Sequence, residues 1–329
     1  MMLVALRGKS VSIGVEVSDT SVRVAELEWA KGPRLRRLET YELDGEPGST
    51  SSDLDLAAWQ GVWQRVFPPS GRKKRKLHVA VPNRWTVIRQ LGLPDFSDEE
   101  LRSVIEFQLQ HNIHLPFDEV TFDFVRCPRE EAAGEAGTDA ETSLILVAAD
   151  KQLVAPLVES LRHSGVRPIS VDIHPLAVYR LLRRFHGGLP QTFLFMEVNG
   201  DVADMHVFHQ GLLYLTRQFP LPVPATDVSA GMFDNLNQIG VEIERTMNFF
   251  RYTLNQRGVE FAQLLIAVPE GATSEWSALE GQLGIPCEIM SLSSLIRSHV
   301  SFSRKVTIRP DDPFLHDYAA AIGLALREV

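Results

Sequence analysis

Residues 193–215 read FLFMEVNGDVADMHVFHQGLLYL, and this stretch decides the expected fold. Its apolar and aromatic runs are separated by a polar turn and then by a glycine turn, which is typical of three consecutive strands. Residues 11–27, VSIGVEVSDTSVRVAEL, show the same order of strand, polar turn and strand. When Glu16 is aligned with Glu197, the pattern indicates a duplicated meander in two similar lobes, with two unrelated hairpins as the alternative.

Helices and buried strands follow each copy of the meander. The clearest helix repeats its apolar residues between Trp59 and Phe67 with a period of about 3.6 residues, and Asp53 is its expected cap. A capping box at 97–100 opens another helix. Asp150 is expected to cap a third helix, in which Pro156 predicts a kink or a later start. Further helices are expected over residues 172–185, 229–256 and 313–327.

Composition and charge limit the class of protein. The chain has 329 residues, 44% of them hydrophobic and 23% charged, which is typical of a folded globular protein with two domains or one large bilobed domain. Its formal net charge of -9 disfavours a general nucleic-acid binder. No apolar run approaches the roughly 20 residues of a membrane helix, and no signal peptide is recognised. We therefore expect a cytoplasmic protein in which Cys127 and Cys287 stay reduced.

The sequence lacks the common catalytic and metal-binding motifs. It contains none of the patterns G-x-x-x-x-G-K-[ST], G-x-G-x-x-G, H-E-x-x-H or G-x-S-x-G. His111 and His114 have no further zinc ligands nearby. His206 and His209 would point to opposite faces of a strand. We therefore predict no metal centre and no catalytic residue.

A set of short motifs occurs in an order that resembles one known family. The motifs are VAVP at 79–82, VIR at 87–89, LPDFS at 93–97, PFDEV at 116–120, VAA at 147–149, GVRP at 165–168, EIERTM at 242–247 and YAAAIGLALR at 318–327. Together they resemble the PilM family of type IV pilus assembly proteins, which are actin-like relatives of the cell-division protein FtsA. The likeness extends over nearly the whole chain, and it rests on the ordered set.

The resemblance implies an α/β, actin-like fold made of two ribonuclease-H-like lobes. The first lobe would span residues 1–188 and contain a small inserted subdomain at about 84–142. The second lobe, residues 189–329, is expected to be shortened. Only a proline-rich link separates its meander from the long helix, where the family has a longer, mostly helical segment.

The resemblance also implies a cleft for ATP and Mg²⁺ between the lobes. The family carries Asp, a hydrophobic residue and Gly at both hairpin turns, whereas this chain carries Glu16-Val17-Ser18 and Glu197-Val198-Asn199. Glycine lets backbone N–H groups approach phosphates closely, and the position of the carboxylates decides the geometry of Mg²⁺. We therefore expect ATP binding to be lost, with retained ATP–Mg²⁺ binding as the alternative and hydrolysis less expected still. If ATP binds, the expected contacts are Glu16, Ser18, Asp19, Glu197, Asn199, Gly200 and Gly271.

A protein partner is implied as well. PilM-like proteins hold the cytoplasmic tail of the membrane protein PilN in a groove beside the inserted subdomain, which is a form of peptide recognition. The expected lining residues are Val87, Ile88, Arg89, Leu91, Phe107 and Leu109. For the apolar ones, the alternative is the core of the subdomain itself. The basic run at 72–76 is expected to be a solvated loop, with contact to anionic lipid as a weaker hypothesis.

These inferences predict a non-catalytic scaffold at the cytoplasmic face of the inner membrane. It would bind a PilN-like tail and link the pilus motor, whose ATPase is a further candidate partner, to the membrane platform. One alternative is an active actin-like ATPase whose nucleotide state gates assembly. Another is the cytoplasmic part of a GspL-like type II secretion protein, which we disfavour because that family continues into a membrane helix that this sequence does not contain.

Overall fold

The computed structural model describes residues 10–29, 32–43, 51–68, 76–128, 141–221, 232–270, 276 and 278–327. Outside these ranges lie most of the basic run at 72–76, most of the proline-rich link before the long helix, and Gly271.

Strands and helices alternate along the described chain. The strands are β1 (Ser10–Val17), β2 (Ser21–Trp29), β3 (Pro33–Glu42), β4 (Lys76–Val81), β5 (Thr86–Pro94), β6 (Val120–Arg126), β7 (Glu141–Asp150), β8 (Pro168–Ile173), β9 (Thr192–Asn199), β10 (Val202–His209), β11 (Leu212–Pro220), β12 (Gln263–Ala267), β13 (Cys287–Met290) and β14 (Ser301–Phe302). The helices are α1 (Leu56–Val66), α2 (Asp98–His111), α3 (Lys151–His163), α4 (His174–Phe185), α5 (Met232–Asn248), α6 (Ala278–Leu283), α7 (Leu292–His299) and α8 (Ala319–Ala325). In the described part of the chain, no helix is both long and apolar enough to cross a bilayer.

Two of the sheets are built on the same plan. The first has the order β14–β3–β2–β1–β4–β8, in which an antiparallel meander of three strands is followed by two parallel strands. The second repeats this plan as β11–β10–β9–β12–β13. Glu16 pairs with Ala80 in the first sheet, and Glu197 pairs with Ala267 at the equivalent place in the second. The predicted duplication and the two-lobed α/β class are therefore confirmed.

A third sheet, of order β5–β7–β6, is inserted between β4 and β8. Its strands are antiparallel, and successive residues of β7 point to opposite faces. One face forms a small core in which Leu144 and Leu146 pack with Leu101 and Ile105 of α2. The sheet runs to Asp150, beyond the end at 142 that the sequence suggested for the insertion.

The beginning of α4 differs from the sequence prediction. Residues 168–173 pair with β4 as strand β8, so the helix begins at His174 and not at 172. Pro175 lies in the first turn of the helix. A backbone N–H group at this position would have no partner within the helix, so proline costs no helical hydrogen bond here. The buried apolar face of the helix continues the apolar pattern of the strand, which is why the sequence alone placed the boundary too early.

Two other helix starts bear on the sequence predictions. Asp55, not Asp53, caps α1, because its side chain accepts a hydrogen bond from the backbone N–H of Ala58 at 2.8 Å. The next helix, α3, begins directly after its predicted cap Asp150 and continues through Pro156, so the later start is wrong.

The C-terminal segment returns to the first lobe. β14 pairs with β3, and α8 packs against β1 and α4. A Cβ atom on Gly14 would lie 1.9 Å from the carbonyl oxygen of Ala321, and one on Gly323 would lie 1.9 Å from that of Ala177. The absence of these side chains lets the backbones touch. This end of the range 189–329, which the sequence analysis assigned to the second lobe, therefore packs against the first lobe.

Gly323→Ala should destabilise the protein by about 1–3 kcal/mol, the usual cost of overpacking, because the added methyl group would collide with the α4 backbone. Gly61→Ala is the matched control, since Gly61 lies within α1 and no atom lies within 4 Å of its Cβ position. That variant should be more stable by roughly 0.5–1 kcal/mol. Urea unfolding measures both changes. An unchanged midpoint for Gly323→Ala would contradict the close contact between α4 and α8.

Candidate functional site

The strand ends of the two lobes meet at a cleft. Glu16 lies near the end of β1, and Glu197 lies at the equivalent place near the end of β9. His174 is the first residue of α4, directly after β8. Because β1, β4 and β8 are parallel, their carboxyl ends share one edge of the sheet. This edge brings His174 and Glu16 together, and it faces Glu197 of the second lobe.

The imidazole ring of His174 bridges the two carboxylates. Its Nδ1 lies 2.6 Å from Oε1 of Glu16, and its Nε2 lies 3.0 Å from Oε2 of Glu197. An ionised carboxylate only accepts hydrogen bonds, so both ring nitrogens must donate, and only the protonated ring can do this. Both glutamates are 5% exposed, and 23% of the His174 side-chain surface is exposed. The site is therefore a buried carboxylate–imidazolium–carboxylate cluster.

The charges of the cluster support one another. Burial works against a charge on His174, but the attraction of Glu197 and Glu16 outweighs it and raises the pKa of His174 well above its usual range. Burial also works against a charge on Glu197. The charge of His174, with hydrogen bonds from His174 and His206, nevertheless lowers the pKa of Glu197 to about 2. The N-terminus of α4 disfavours a cation, so the two carboxylates overcome that smaller effect as well.

Other polar groups surround the cluster. His206, fully buried on β10, accepts or donates a hydrogen bond with Thr216 at 2.9 Å, and its Nε2 lies 3.4 Å from Glu197. On the far side, Arg23, His316 and Asp317 line a pocket of about 260 Å³ next to the cluster. The ring of His174 therefore has solvent access through a small opening.

The first hairpin turn is closed by its own hydrogen bonds. The backbone N–H of Ser18 donates to the carbonyl of Ser21 at 2.9 Å, and the backbone N–H of Ser21 donates to the Ser18 hydroxyl oxygen at 3.1 Å. Asp19 forms an ion pair with Arg84 at 2.7 Å. The N–H of Ser18 and the carboxylate of Asp19 are therefore engaged within the protein.

The second turn is more open. Gly200 adopts the left-handed φ of 64° that favours glycine, and both Asn199 and Gly200 are exposed. Together with Glu16, Ser18 and Asp19, Asn199 lines an interlobe pocket of about 550 Å³. The structure thus brings the predicted residues of both turns to one cleft.

This donor set does not fit a magnesium–nucleotide complex. The position between the two carboxylates is taken by the ring of His174, which carries a positive charge of its own. A divalent cation there would be repelled by the imidazolium. Among the residues that the structure describes, no group of three or more His, Cys, Asp or Glu side chains is arranged to hold a metal ion.

Sequence reasoning missed His174. The helix was expected to begin at 172, so His174 was treated as a residue of its first turn. One signal was available, since a polar residue directly after a buried parallel strand lies at the edge where sites form in α/β proteins. Nothing in the local sequence indicates that Glu197, in the other lobe, would be its partner.

The predicted partner-binding residues do not form one surface. Val87, Ile88 and Arg89 line the interlobe pocket. Leu91 and Leu109 pack against the small core of the inserted subdomain, which was the alternative for the apolar residues. The sixth residue, Phe107, is 59% exposed and stacks on His111 at the outer side of α2.

A larger groove lies between the inserted sheet and the first lobe, with a volume of about 840 Å³. We call it the edge groove, because β6 and β8, the outer strands of their sheets, both line it. The contributing segments are residues 121–125 of β6, residues 171–173 of β8, and the face of α3 that carries Val154, Ala155 and Val158. Val125 and Val171 are exposed by 42% and 41%.

Two lobes of one plan, with a carboxylate at the end of the first strand of each, define the actin-like class of proteins. A family model described as type IV pilus assembly protein PilM matches residues 14–219, more than half of the chain. The chain therefore belongs to the PilM family of type IV pilus assembly proteins.

Solved structures agree with this class. A chain of the PilM–PilN type IV pilus biogenesis complex is 19% identical, with 96% of this chain and 98% of that chain covered and a TM-score of 0.65. The cytoplasmic domain of EpsL, from the type II secretion system of Vibrio cholerae, is 11% identical, with 97% of both chains covered and a TM-score of 0.47. The likeness to the first shows a shared fold, and the second is too distant to carry an argument. A comparison with curated protein sequences finds no significant match.

We expect His174 to be protonated at neutral pH. Because folding raises its pKa, its contribution to stability is complete below about pH 6.5 and is lost as the pH rises through the folded-state value. The contribution of Glu197 is complete above about pH 4.5 and is lost as the pH falls towards about 2. The contribution of His174 and Glu197 to the free energy of unfolding should therefore be largest between about pH 4.5 and about pH 6.5.

An NMR titration of the wild type and of two variants checks the protonation of His174. An NMR titration of the imidazole gives the pKa of His174, which should fall in Glu197→Gln because the main attraction is removed. Glu159→Gln, on the exposed face of α3, is the matched control and should leave the titration of His174 unchanged. An ordinary histidine pKa in the wild type would contradict the bridged cluster.

Proposed function

We propose that this protein is a docking component of type IV pilus assembly that holds the N-terminal tail of a PilN-like inner-membrane protein in the edge groove. The proposal rests first on membership of the PilM family. It also rests on the likeness to a chain of a PilM–PilN complex, in which the two names appear together. The protein would act at the cytoplasmic face of the inner membrane, where such a tail emerges.

The presence of two sheet edges in one groove carries the proposal. β6 pairs only with β7, and β8 pairs only with β4, among the described strands. Each edge strand leaves backbone N–H and C=O groups on one side that an extended peptide can pair with, as in β-strand addition. With a volume of about 840 Å³, the groove has room for several residues of such a peptide.

The side chains of the edge groove suit a peptide with apolar residues. Val125 on β6 and Val171 on β8 are more than 40% exposed, although Phe124 and Ile173 on the same strands pack in cores. Asp172, at the base of the groove, is neutralised by Arg180 at 2.8 Å and Arg327 at 3.1 Å. The base is therefore a fixed ion cluster, and the apolar walls remain free to bind a ligand.

Docking without nucleotide turnover is the form of this function that we favour. The alternative of an active ATPase needs a metal–nucleotide complex between the lobes, where His174 bridges Glu16 and Glu197. A link between the pilus motor and the membrane platform follows from the docking proposal. Contact of Val87, Ile88 and Arg89 with a partner in the interlobe pocket stays a separate prediction.

Val171→Asp should weaken binding of the tail by about tenfold or more. Burial of a neutral polar group without a hydrogen bond costs roughly 1–3 kcal/mol, and an unpaired carboxylate costs more. About 1.4 kcal/mol corresponds to tenfold. Fluorescence anisotropy with a labelled synthetic peptide of the PilN-like tail gives the affinity. We expect the wild type to bind the peptide saturably and this variant to bind it more weakly.

Val241→Asp is the matched control. Val241 on α5 is a valine of nearly equal exposure, 40% against 41% for Val171, and it does not line the edge groove. Its variant should bind the peptide like the wild type. Equal affinity for the Val171 variant and the wild type would contradict the edge groove as the binding site.

A further inference from the structure

α4 is joined to the second lobe at both of its ends. At its first residue, Nε2 of His174 lies 3.0 Å from Glu197 on β9. Directly after its last residue, Nε2 of His186 lies 3.0 Å from Glu288 on β13. The same helix packs through Ala177 against Gly323 of α8 in the first lobe. α4 therefore contacts both lobes and helps to hold their relative position.

The contact at His174 differs from the one at His186 in burial and in number of partners. Glu288 is half exposed, with 49% of its side-chain surface open, so its pair with His186 is screened by water. Glu16 and Glu197 are buried, and each offers an oxygen to the same ring. Without a cation between them, two buried carboxylates would repel each other and lose their hydration.

We propose that His174 is a built-in replacement for a bound cation, so that the lobes are held together without nucleotide or metal. The ring is attached to the first lobe through α4 and neutralises the carboxylates of both lobes at once. Because the imidazolium is part of the chain, its presence between the carboxylates does not depend on the concentration of a cation in solution. It also cannot dissociate from the cleft. Closure of the cleft is therefore a permanent property of the fold.

The groups around the ring of His174 indicate which binding site would form if the ring were removed. Oε2 of Glu16 is buried and has no hydrogen-bond partner, and Nε2 of His206 lies 3.4 Å from Glu197. Without the ring of residue 174, two carboxylates and the imidazole of His206 would face the same space, which is a donor set that suits Mn²⁺. The adjoining pocket of about 260 Å³ would admit a small cation or free imidazole.

His174→Ala is the test variant, and thermal unfolding is the first measurement. Its melting temperature should fall by several degrees, and free imidazole or MnCl₂ should restore part of the loss, because either cation can stand between Glu16 and Glu197. The wild type should show no saturable shift with MnCl₂ or with MgCl₂ and ATP. His111→Ala, which removes an exposed histidine on α2, should respond to none of these additions.

Small-angle X-ray scattering provides a second measurement of lobe closure. The radius of gyration of the wild type should stay the same with and without MgCl₂ and ATP, whereas that of His174→Ala should increase and return on addition of imidazole. If His174→Ala does not fold, Glu197→Gln replaces it as the test variant, because this change weakens only one side of the bridge. Its radius of gyration should also increase.

Two results would overturn the proposal. One is saturable stabilisation or compaction of the wild type by MgCl₂ and ATP. The other is a folded variant at residue 174 or 197 with unchanged dimensions and melting temperature. Neither readout involves a peptide, so the outcome is independent of whether the edge groove binds a PilN-like tail.

Discussion

The interlobe cleft depends on one protonated ring held between two buried carboxylates. Glu16 and Glu197 occupy equivalent places at the ends of equivalent strands. The duplicated fold by itself therefore brings two negative charges together at a largely buried site. Such a pair is unfavourable unless a cation lies between them. His174 supplies that cation from the chain, at 2.6 Å and 3.0 Å from the two carboxylates. The site that this fold offers to a metal and a nucleotide has thus become part of the protein's own structure.

The position of that ring is set by packing far from the cleft. His174 begins α4, and the axis of α4 is fixed by direct contact with α8 at Gly323. α8 lies in turn against β1 at Gly14, the strand that carries Glu16. Strand, C-terminal helix and α4 therefore form a stack in which small residues keep the backbones together. The distance between Glu16 and His174 follows from this stack, since each residue sits at the end of an element within it.

The interlobe cleft and the edge groove depend on sequence to different degrees. A nucleotide site needs particular residues in its turns, and substitution at Ser18 or Asn199 changes it directly. The edge groove is bounded by the outer strands β6 and β8, and the hydrogen-bonding groups of a strand edge belong to the backbone. A groove of this kind tolerates exchange of side chains as long as the two sheets keep their places. For this reason, the docking function that we propose does not depend on a nucleotide in the cleft.

Local sequence patterns predicted most strands and helices and the repetition of the meander, although not every boundary. Alternating apolar residues and turn chemistry predicted the two meanders, and the alignment of Glu16 with Glu197 placed both carboxylates at equivalent strand ends. Only the tertiary structure decided what lies between them, since His174 is 158 residues from Glu16 in the chain and its pairing with Glu197 crosses the lobes. The return of α8 to the first lobe was equally hidden, because a glycine that permits close backbone contact looks in sequence like any other glycine. The periodicity of apolar residues predicts which face of a helix or strand is buried. The element that covers this face depends on the packing of the whole chain.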